Sequence, residues 1–347
     1  MRPWHFRSEG SEKVVEPAPK VSWWSRHGRR LLVRAVVLQL VGVVLFTAAL
    51  LLGERSHVSF FALYLPRQPV LLVSVGALLV TLRLKHRALL AVQVVAALVV
   101  LFPVMGARLW FSPSPTAADL PVRLATYNVY FGKMGRPLLL EELATMPVDI
   151  LLLQATYDSI GERLRERLPD RTTRQDGELV IVTRFPILKV NVPPQLPGDV
   201  RPMFVEYLLE TPAGPLRVFN IHPFSPRNAL VDRDEAWTVD VARREAQIAA
   251  VVEASRQPGP PFVIAGDTNL PQLSAILRRH LGDLKDAFDE AGLGFGYTFP
   301  AKRPWMRIDR ALGGRGVTFT GVRVGPQGAS DHRPLFADFR LSPSKGS

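Results

Sequence analysis

The sequence predicts an α/β chain, a two-sheet α/β sandwich preceded by three transmembrane helices, and three observations carry that reading. Long apolar runs at 34–53, 69–82 and 88–106 account for a mean hydropathy of +0.11. Beyond residue 121, short β-rich runs outnumber two helical stretches, a pattern that packed sheets with flanking helices satisfy. Several of those runs end in an acid, amide or imidazole beside a turn residue: Asn128 in TYNV, Gln154 in DILLLQA, His222 in FNIHP, Asp267 and Asn269 in IAGDTN, Asp309 in RIDRAL, and Asp331 with His332 in SDHRP. Packed strands deliver such groups to one rim, where they can hold a divalent cation and a phosphate.

Two of the three apolar runs approach the roughly 20 residues that a bilayer span needs. The second is short unless it recruits Val58 to Leu65 across Pro66 and Pro69, and its alternative is a buried or re-entrant segment. The first run also has the basic flank of a signal peptide in Arg26, Arg29 and Arg30, but two more apolar runs follow and no small-residue cleavage site is present. Arg26, Arg29, Arg30 and Arg34 precede the first helix, and Arg83, Lys85 and Arg87 fill the second link, whereas the first link sets Arg55 and Arg67 beside Glu54. The positive-inside rule therefore puts the N-terminus and the second link in the cytoplasm. Three crossings of the cell (inner) membrane then place everything after Arg108 outside the cytoplasm.

The expected organisation is a cytoplasmic basic tail (1–33), a three-helix transmembrane region (34–107), a Pro/Ser linker (108–121), a globular domain (122–342) and a short tail (343–347). Trp110 and Phe111 at the start of the linker suit either an interfacial aromatic belt or a packed pair. The net charge of +12 divides unevenly along this plan. Residues 1–119 hold 14 Lys/Arg against 5 Asp/Glu, and residues 120–347 hold 29 against 26, so +9 belongs to the membrane half and +3 to the domain. That balance points to a lipid bilayer as the partner and away from nucleic acid. The chain has no cysteine, which excludes zinc fingers, thiol nucleophiles and disulfides and leaves the domain to be held by its core.

Within the domain, strands are expected at 122–129, 149–154, 179–184, 203–210, 216–222, 262–266, 306–312 and 334–341, and helices at 137–146 and 234–255. The second helix sets Trp237, Val241, Ile248 and Val252 on a face opposite Arg243, Arg244 and Glu253. The polar strand ends then read as chemistry. Asn128, Asp267 and Asp331 offer the hard oxygens that Mg2+, or Mn2+ in its place, prefers, and His222 and His332 supply an acid and a base for attack of water on phosphorus. Taken singly, each also has a structural reading: Asn128 as a turn cap, Asp267 as an Asx-turn residue after Gly266, either histidine as a packed ring.

Taken in order, TYNV, DILLLQ, RFPI, NIHP, GDTN, KDAF, RIDRAL and SDHRP resemble the motifs of the endonuclease/exonuclease/phosphatase superfamily, metal-dependent phosphoesterases with the fold of pancreatic deoxyribonuclease, over about residues 122–342. The resemblance implies Asn128 near the metal, His222 on the leaving-group side, and Asp267 with Asn269 orienting water and phosphate. It also implies Asp331 at the metal or just behind it, and His332 on the phosphate, steadied by an acid such as Asp286, with Asp309 in support. One position departs from the pattern. The family's Gln-Glu carries the principal metal carboxylate, and here Gln154 is followed by Ala155. Asp158 or Glu178 are the acids at hand to replace it; otherwise the chain is a catalytically impaired binding or sensing protein, or carries a deliberate substitution.

Three helices followed by an exported domain also resemble the membrane phosphatases of glycopeptide-antibiotic resistance, which act on polyprenyl pyrophosphate. The function expected from the sequence is thus a membrane-anchored phosphoesterase for a lipid-linked pyrophosphate or another phosphate ester. An impaired binding protein is the alternative, a nuclease comes third, and a transporter last because the apolar runs carry almost no ionisable residue.

Overall fold

The computed structural model describes residues 23–109, 121–231 and 235–341; most of the basic tail, Trp110, Phe111 and nearly all of the linker, and the tail 343–347 lie outside the described residues. The chain opens with α1 (Trp23–Leu52), followed by a 3-10 turn at Gly53–Arg55, α2 (His57–Leu63), α3 (Gln68–Leu84) and α4 (Arg87–Val99), which continues as a π-helical turn over Val100–Val104. At 1.5 Å per residue, α1 alone spans about 45 Å. Two stretches, His27–Arg55 and Arg87–Val104, are long and apolar enough to cross a membrane; α2 and α3, bent by 83° at their break, make a third if the pair is one span. Pro66 and Pro69 cause the break, and Arg67 pins it by donating to the carbonyls of Val104 (2.7 Å) and Leu63 (3.3 Å). Gln93 donates to Gln39 at 2.8 Å and Gln39 to Ser74 at 3.1 Å, a polar thread joining α4, α1 and α3 where apolar surface alone gives little specificity.

The chain continues through β1 (Arg108–Leu109), β2 (Pro121–Asn128), α5 (Arg136–Ala144), β3 (Ile150–Gln154), α6 (Ile160–Arg167), β4 (Thr172–Asp176), β5 (Leu179–Thr183), β6 (Ile187–Asn191) and β7 (Phe204–Thr211). There follow β8 (Gly214–Ile221), α7 (Arg227–Val231), α8 (Glu235–Arg256), β9 (Phe262–Asp267), α9 (Ala275–Leu281), β10 (Lys285–Asp286), α10 (Ala287–Ala291), β11 (Leu293–Gly294), β12 (Asp309–Gly313), β13 (Val317–Val324) and β14 (Leu335–Leu341). They build two six-stranded sheets, in the orders β13-β14-β2-β3-β5-β4 and β10-β12-β9-β8-β7-β6. Each sheet has one parallel pair, β2 with β3 and β8 with β9, and these adjacent parallel strands require helical crossovers, supplied by α5 and α8.

Alternation along the strands decides the layers. In β2, Val122 and Leu124 face the core between the sheets, while Ala125 and Tyr127 face α5 and α6. On the other sheet, Phe219, Ile221 and Ile264 pack under Ile248 and Val251 of α8 and Ile276 of α9. The result is helices, sheet, sheet, helices. Gln154 is not a rim residue, as its place in the motif suggests, but a bridge inside this core. Its amide donates to Asn220 of the facing sheet at 2.7 Å, and Asn220 donates to the carbonyls of Leu153 and Val180, each at 3.1 Å.

Among the described residues the domain is seated on the helices. Glu54, buried at the end of α1, accepts from the Ser274 hydroxyl and from the Ala275 amide (2.7 Å), capping α9. Gly53 is required there, because a Cβ would lie 2.9 Å from Ala275 and the backbone has φ +61°. Leu273 packs with Leu50, Ala62, Leu63 and Val104, and Phe295 with Val43, Val100 and Met105. Arg244, expected on the polar face of its helix, is fully buried in this junction, donating to Tyr64 Oη (3.1 Å) and the Phe224 carbonyl (3.0 Å). Trp237 likewise turns to α2, with ring centroids 6.0 Å from His57 and 6.4 Å from Phe60.

Asn220→Ala should leave one N–H of the buried Gln154 amide, whose nitrogen also donates to Thr126 at 3.0 Å, without its partner, remove the side-chain donor to the Leu153 and Val180 carbonyls, and cost about 1–3 kcal/mol. Thermal unfolding of the detergent-solubilised protein measures it, and an unchanged midpoint would show that the inter-sheet bridge contributes nothing.

Candidate active site

The two parallel strand pairs end at the same end of the sandwich. Asn128 pairs with Gln154 at the end of β2 and β3, and Ile221 pairs with Gly266 at the end of β8 and β9, so His222 and Asp267 follow directly. Gly266 admits this close approach, since a Cβ there would lie 2.0 Å from the Ile221 carbonyl oxygen. Among the described residues, five non-glycines have positive φ, and four of them, Tyr130, Phe131, Ala155 and Asn269, lie in the loops at this rim. Backbone of that kind collects where a surrounding structure holds functional groups in place.

Asp267 is the centre of the arrangement. It is 1% exposed; one oxygen accepts from the Asn128 amide at 2.9 Å and the other from the Asn269 backbone at 2.8 Å. His222 Nε2 lies 3.8 Å and His332 Nε2 3.7 Å from the same Asp267 oxygen. The Asn269 side chain donates to the Pro223 carbonyl at 3.0 Å, locking the loop onto the neighbouring strand end. Ser330 donates to the Asn128 carbonyl at 2.6 Å and accepts from the His332 amide at 3.2 Å, which ties the SDH turn to β2.

The histidines are held in opposite charge states. Burial pushes the His222 imidazole down to about 4, aided by Arg201 and His332 against the pull of Asp267. Behind that ring, Glu178 contacts Nδ1 and pairs with Arg201, so its charge is already matched. Burial also works against a charged His332, but Asp309 and Asp267 outweigh it and push that ring up to about 9. His332 Nδ1 meets Asp309 Oδ2 at 2.9 Å. Near neutral pH the site thus pairs a neutral imidazole with an imidazolium, the separation that acid–base pairs show.

Donor chemistry at the rim fits a hard divalent cation. Asn128 Oδ1 accepts one hydrogen bond, from the Tyr130 amide at 3.0 Å, and keeps a lone pair. Burial raises both Asp267 and the half-buried Asp331, and Asp309 Oδ1 is buried without a hydrogen-bond partner, so negative charge here is under-compensated. Asp267, Asp309 and His332 bring ligand atoms within 4.8 Å of one another. Of the oxygen donors, Asn128 and Asp267 meet directly at 2.9 Å and Asp309 is engaged with His332, while Asp331, half-buried beside His332, is not one of the three side chains in that cluster.

Several expected partners have other work. Asp286 does not steady His332: it caps α10 through the Phe288 amide (2.8 Å) and pairs with Arg310 (2.6 Å), and Arg307 and Arg310 hold its carboxyl below the usual range against the effect of burial. Asp309 takes the role, because β12 runs beside β9 with Asp309 opposite Asp267. Asp158 is exposed and is not one of the three side chains in the close cluster. Glu178 is committed to His222 and Arg201 rather than to the Asn128 side. Ala155, buried in the left-handed region with φ 49° and its carbonyl accepting from Phe131 at 2.5 Å, brings no donor of its own.

Two residues, Arg201 and Tyr64, carry no sequence signal for this site, and Glu178, expected as a stand-in for the missing metal carboxylate, stands behind His222 instead. Arg201 lies in a loop with no pattern around it. Tyr64 belongs to the break between α2 and α3, yet its hydroxyl donates to the Asn269 carbonyl at 3.1 Å while accepting from Arg244. The apolar helices therefore touch the GDTN loop directly.

A model of the endonuclease/exonuclease/phosphatase family matches residues 125–332. No curated protein matches the sequence. Solved structures that share the fold include truncated TDP2 from Caenorhabditis elegans, 19% identical, covering 64% of this chain and 98% of that one with a TM-score of 0.52. An endonuclease/exonuclease/phosphatase family protein from Bacteroides thetaiotaomicron is 17% identical over 65% of this chain and 99% of its own, TM-score 0.52. The 3' phosphatase NExo from Neisseria, bound to a product DNA hairpin, is 19% identical over 62% of this chain and 98% of its own, TM-score 0.50.

Ring resonances of the two histidines, followed by NMR in chelator, should titrate near 9 for His332 and near 4 for His222. His332, raised in the folded state, adds stability that is complete below its unfolded value of about 6.5 and lost as pH rises through 9; His222, lowered, adds stability that is complete above about 6.5 and lost as pH falls through 4. Asp309→Asn should bring the His332 value down, and an unmoved titration would show that Asp309 does not hold the charge.

Proposed function

Because the chain belongs to the endonuclease/exonuclease/phosphatase family, we propose that it is a membrane-anchored, divalent-metal-dependent phosphoesterase acting outside the cytoplasm on a lipid-linked phosphate, with polyprenyl pyrophosphate as the leading substrate. The observation that carries this reading is the contact between the catalytic rim and the helix junction: Tyr64, beside the break in the apolar helices, holds the carbonyl of Asn269, two residues from Asp267. A rim built onto such a junction meets lipid headgroups at high effective concentration.

In this reading water attacks phosphorus as the P–O bond to the leaving phosphate breaks and that phosphate departs as its anion; His222, neutral, takes the water's proton at Nε2 rather than standing on the leaving-group side as its motif implies, and Glu178 keeps the ring turned that way from Nδ1. His332, charged and steadied by Asp309, donates Nε2–H to a phosphoryl oxygen. Asn269 and Asp267 orient water and phosphate between them. Asn128, Asp267 and Asp331 would hold the cation, Mg2+ or Mn2+, which when bound supplies positive charge against the phosphoryl oxygens.

Ala155 supports a second reading. With no carboxylate at that position and neither Asp158 nor Glu178 in its place, cation affinity rests on two acids, and the protein then serves as an impaired binder or sensor of the same ligand. A nuclease is less favoured: the Neisseria protein that shares this fold is a 3' phosphatase bound to product DNA, but residues 120–347 here carry only +3.

Phosphate release from the full-length protein, assayed with polyprenyl pyrophosphate in mixed micelles, nucleic acid and a soluble ester, should require Mg2+ and favour the lipid. His332→Ala should lower it about 10²- to 10⁴-fold, and Ala155→Glu should raise it at low Mg2+ by adding a ligand. Equal, metal-independent background for the parent and both variants would end the enzyme reading and leave the binder. Topology is tested separately. Protease added to intact spheroplasts should remove the domain after Arg108 and spare the helices, whereas a protected domain would sink the extracytoplasmic assignment.

A further inference from the structure

Beside the helix junction lies a cavity of about 530 Å³ that takes none of its lining from the rim residues, with Phe295 and Tyr297 among its walls together with Arg323 and Arg333. We propose that it binds the phosphate headgroup of an anionic phospholipid from the leaflet nearest the domain, separately from the catalytic rim. The proposal rests on the membrane anchoring in the function above but not on catalysis.

The aromatic wall belongs to the helix junction. Phe295 and Tyr297 stack with centroids 5.2 Å apart at 15°; Phe295 packs on Val43, Val100 and Met105, and the Tyr297 hydroxyl donates to the Met105 carbonyl at 2.7 Å. The cavity's Leu293 pairs across the β1–β11 ribbon with Leu109, where the chain leaves the last apolar helix, and both leucines are about two-thirds exposed. An exposed leucine pair beside a span end, next to aromatic rings, has the composition of a bilayer interface.

The cationic part of the lining has no acidic partner among the described residues. Arg333 donates Nε–H to the Ala301 carbonyl at 2.8 Å, and Arg323 lies 3.7 Å over the Phe336 ring. Neither contact uses up a guanidinium's fork of N–H donors, whose geometry matches phosphate. Apolar walls continuous with the helices and two guanidiniums at their edge fit a phosphodiester with its acyl chains running along the helices; a free anion would leave the apolar wall unused.

The test is native mass spectrometry of the full-length protein released from nanodiscs of equimolar phosphatidylglycerol and phosphatidylcholine. The parent should retain phosphatidylglycerol preferentially, Arg323→Glu should cut that retention about tenfold, and Arg323→Lys should restore part of it. Inorganic phosphate at millimolar concentration should displace little. Thermal unfolding of each variant guards against misfolding, and Arg333→Gln, should Arg323→Glu fail to fold, gives the same reading. Equal retention of both lipids by the parent, undiminished retention by the folded variants, or full displacement by inorganic phosphate would each overturn the site. Release of the protein from membranes by alkaline carbonate would overturn the anchoring on which it rests, whatever the phosphate assay shows.

Discussion

A carboxylate at 1% exposure organises the candidate active-site end of this protein, because Asp267 cannot sit there without partners that answer its charge. Asn128 comes to it from the facing sheet, the Asn269 amide from its own loop, and two imidazoles stand within 4 Å of one oxygen. The requirement propagates outward. His332 is charged because Asp309 and Asp267 outweigh burial, His222 is neutral because burial prevails and Glu178 is already matched by Arg201, and both states follow from which strand lies beside which. One buried acid thus ties together the ends of two sheets and the protonation of both rings.

The helix junction acts on the same loop from the other side. Tyr64 receives a hydrogen bond from Arg244 and gives one to Asn269, while Glu54 caps α9 a few residues further along the chain. Burying Arg244 completely is unfavourable unless its donors are used; the Phe224 carbonyl takes Nε, the Tyr64 hydroxyl takes Nη1 and the face of Phe60 lies at 5.7 Å, while Nη2 is buried without a hydrogen-bond partner. Seating of the domain and geometry of the GDTN loop are therefore one structural problem rather than two. A flexible tether would leave them independent.

How much of this was legible beforehand varied with the kind of signal. The apolar runs at 34–53 and 88–106, the central strands around Asn128, Gln154, His222 and Asp267, and the long helix α8 were readable because burial on one or both faces demands a continuous or periodic apolar pattern. The edge strands β4, β6 and β13 were missed: TTRQD carries no such pattern, and VTFTGVRV, although it alternates, is interrupted at a register shift between Phe319 and Gly321, so they take their form from hydrogen bonds to β5, β7 and β14. The short helices α9 and α10 escaped for a related reason, since seven- and five-residue segments are helical only through packing.

By itself, then, the sequence determined the two-sheet class, the apolar helices before it, and the strand ends from which Asn128, His222, Asn269 and His332 meet around Asp267, because those are local patterns of polarity at strand ends. Tertiary structure alone decided which acid serves which histidine. Asp286 and Asp309 are alike on paper, but β12 lies antiparallel to β9 and sets Asp309 opposite Asp267, while Arg307 and Arg310 claim Asp286. It likewise moved Gln154 from the rim into the core, drew Glu178 behind His222, and brought Tyr64 across 205 residues to the GDTN loop. Such pairings depend on strand order and helix docking, which are global solutions to burying apolar surface and which no window of neighbouring residues contains.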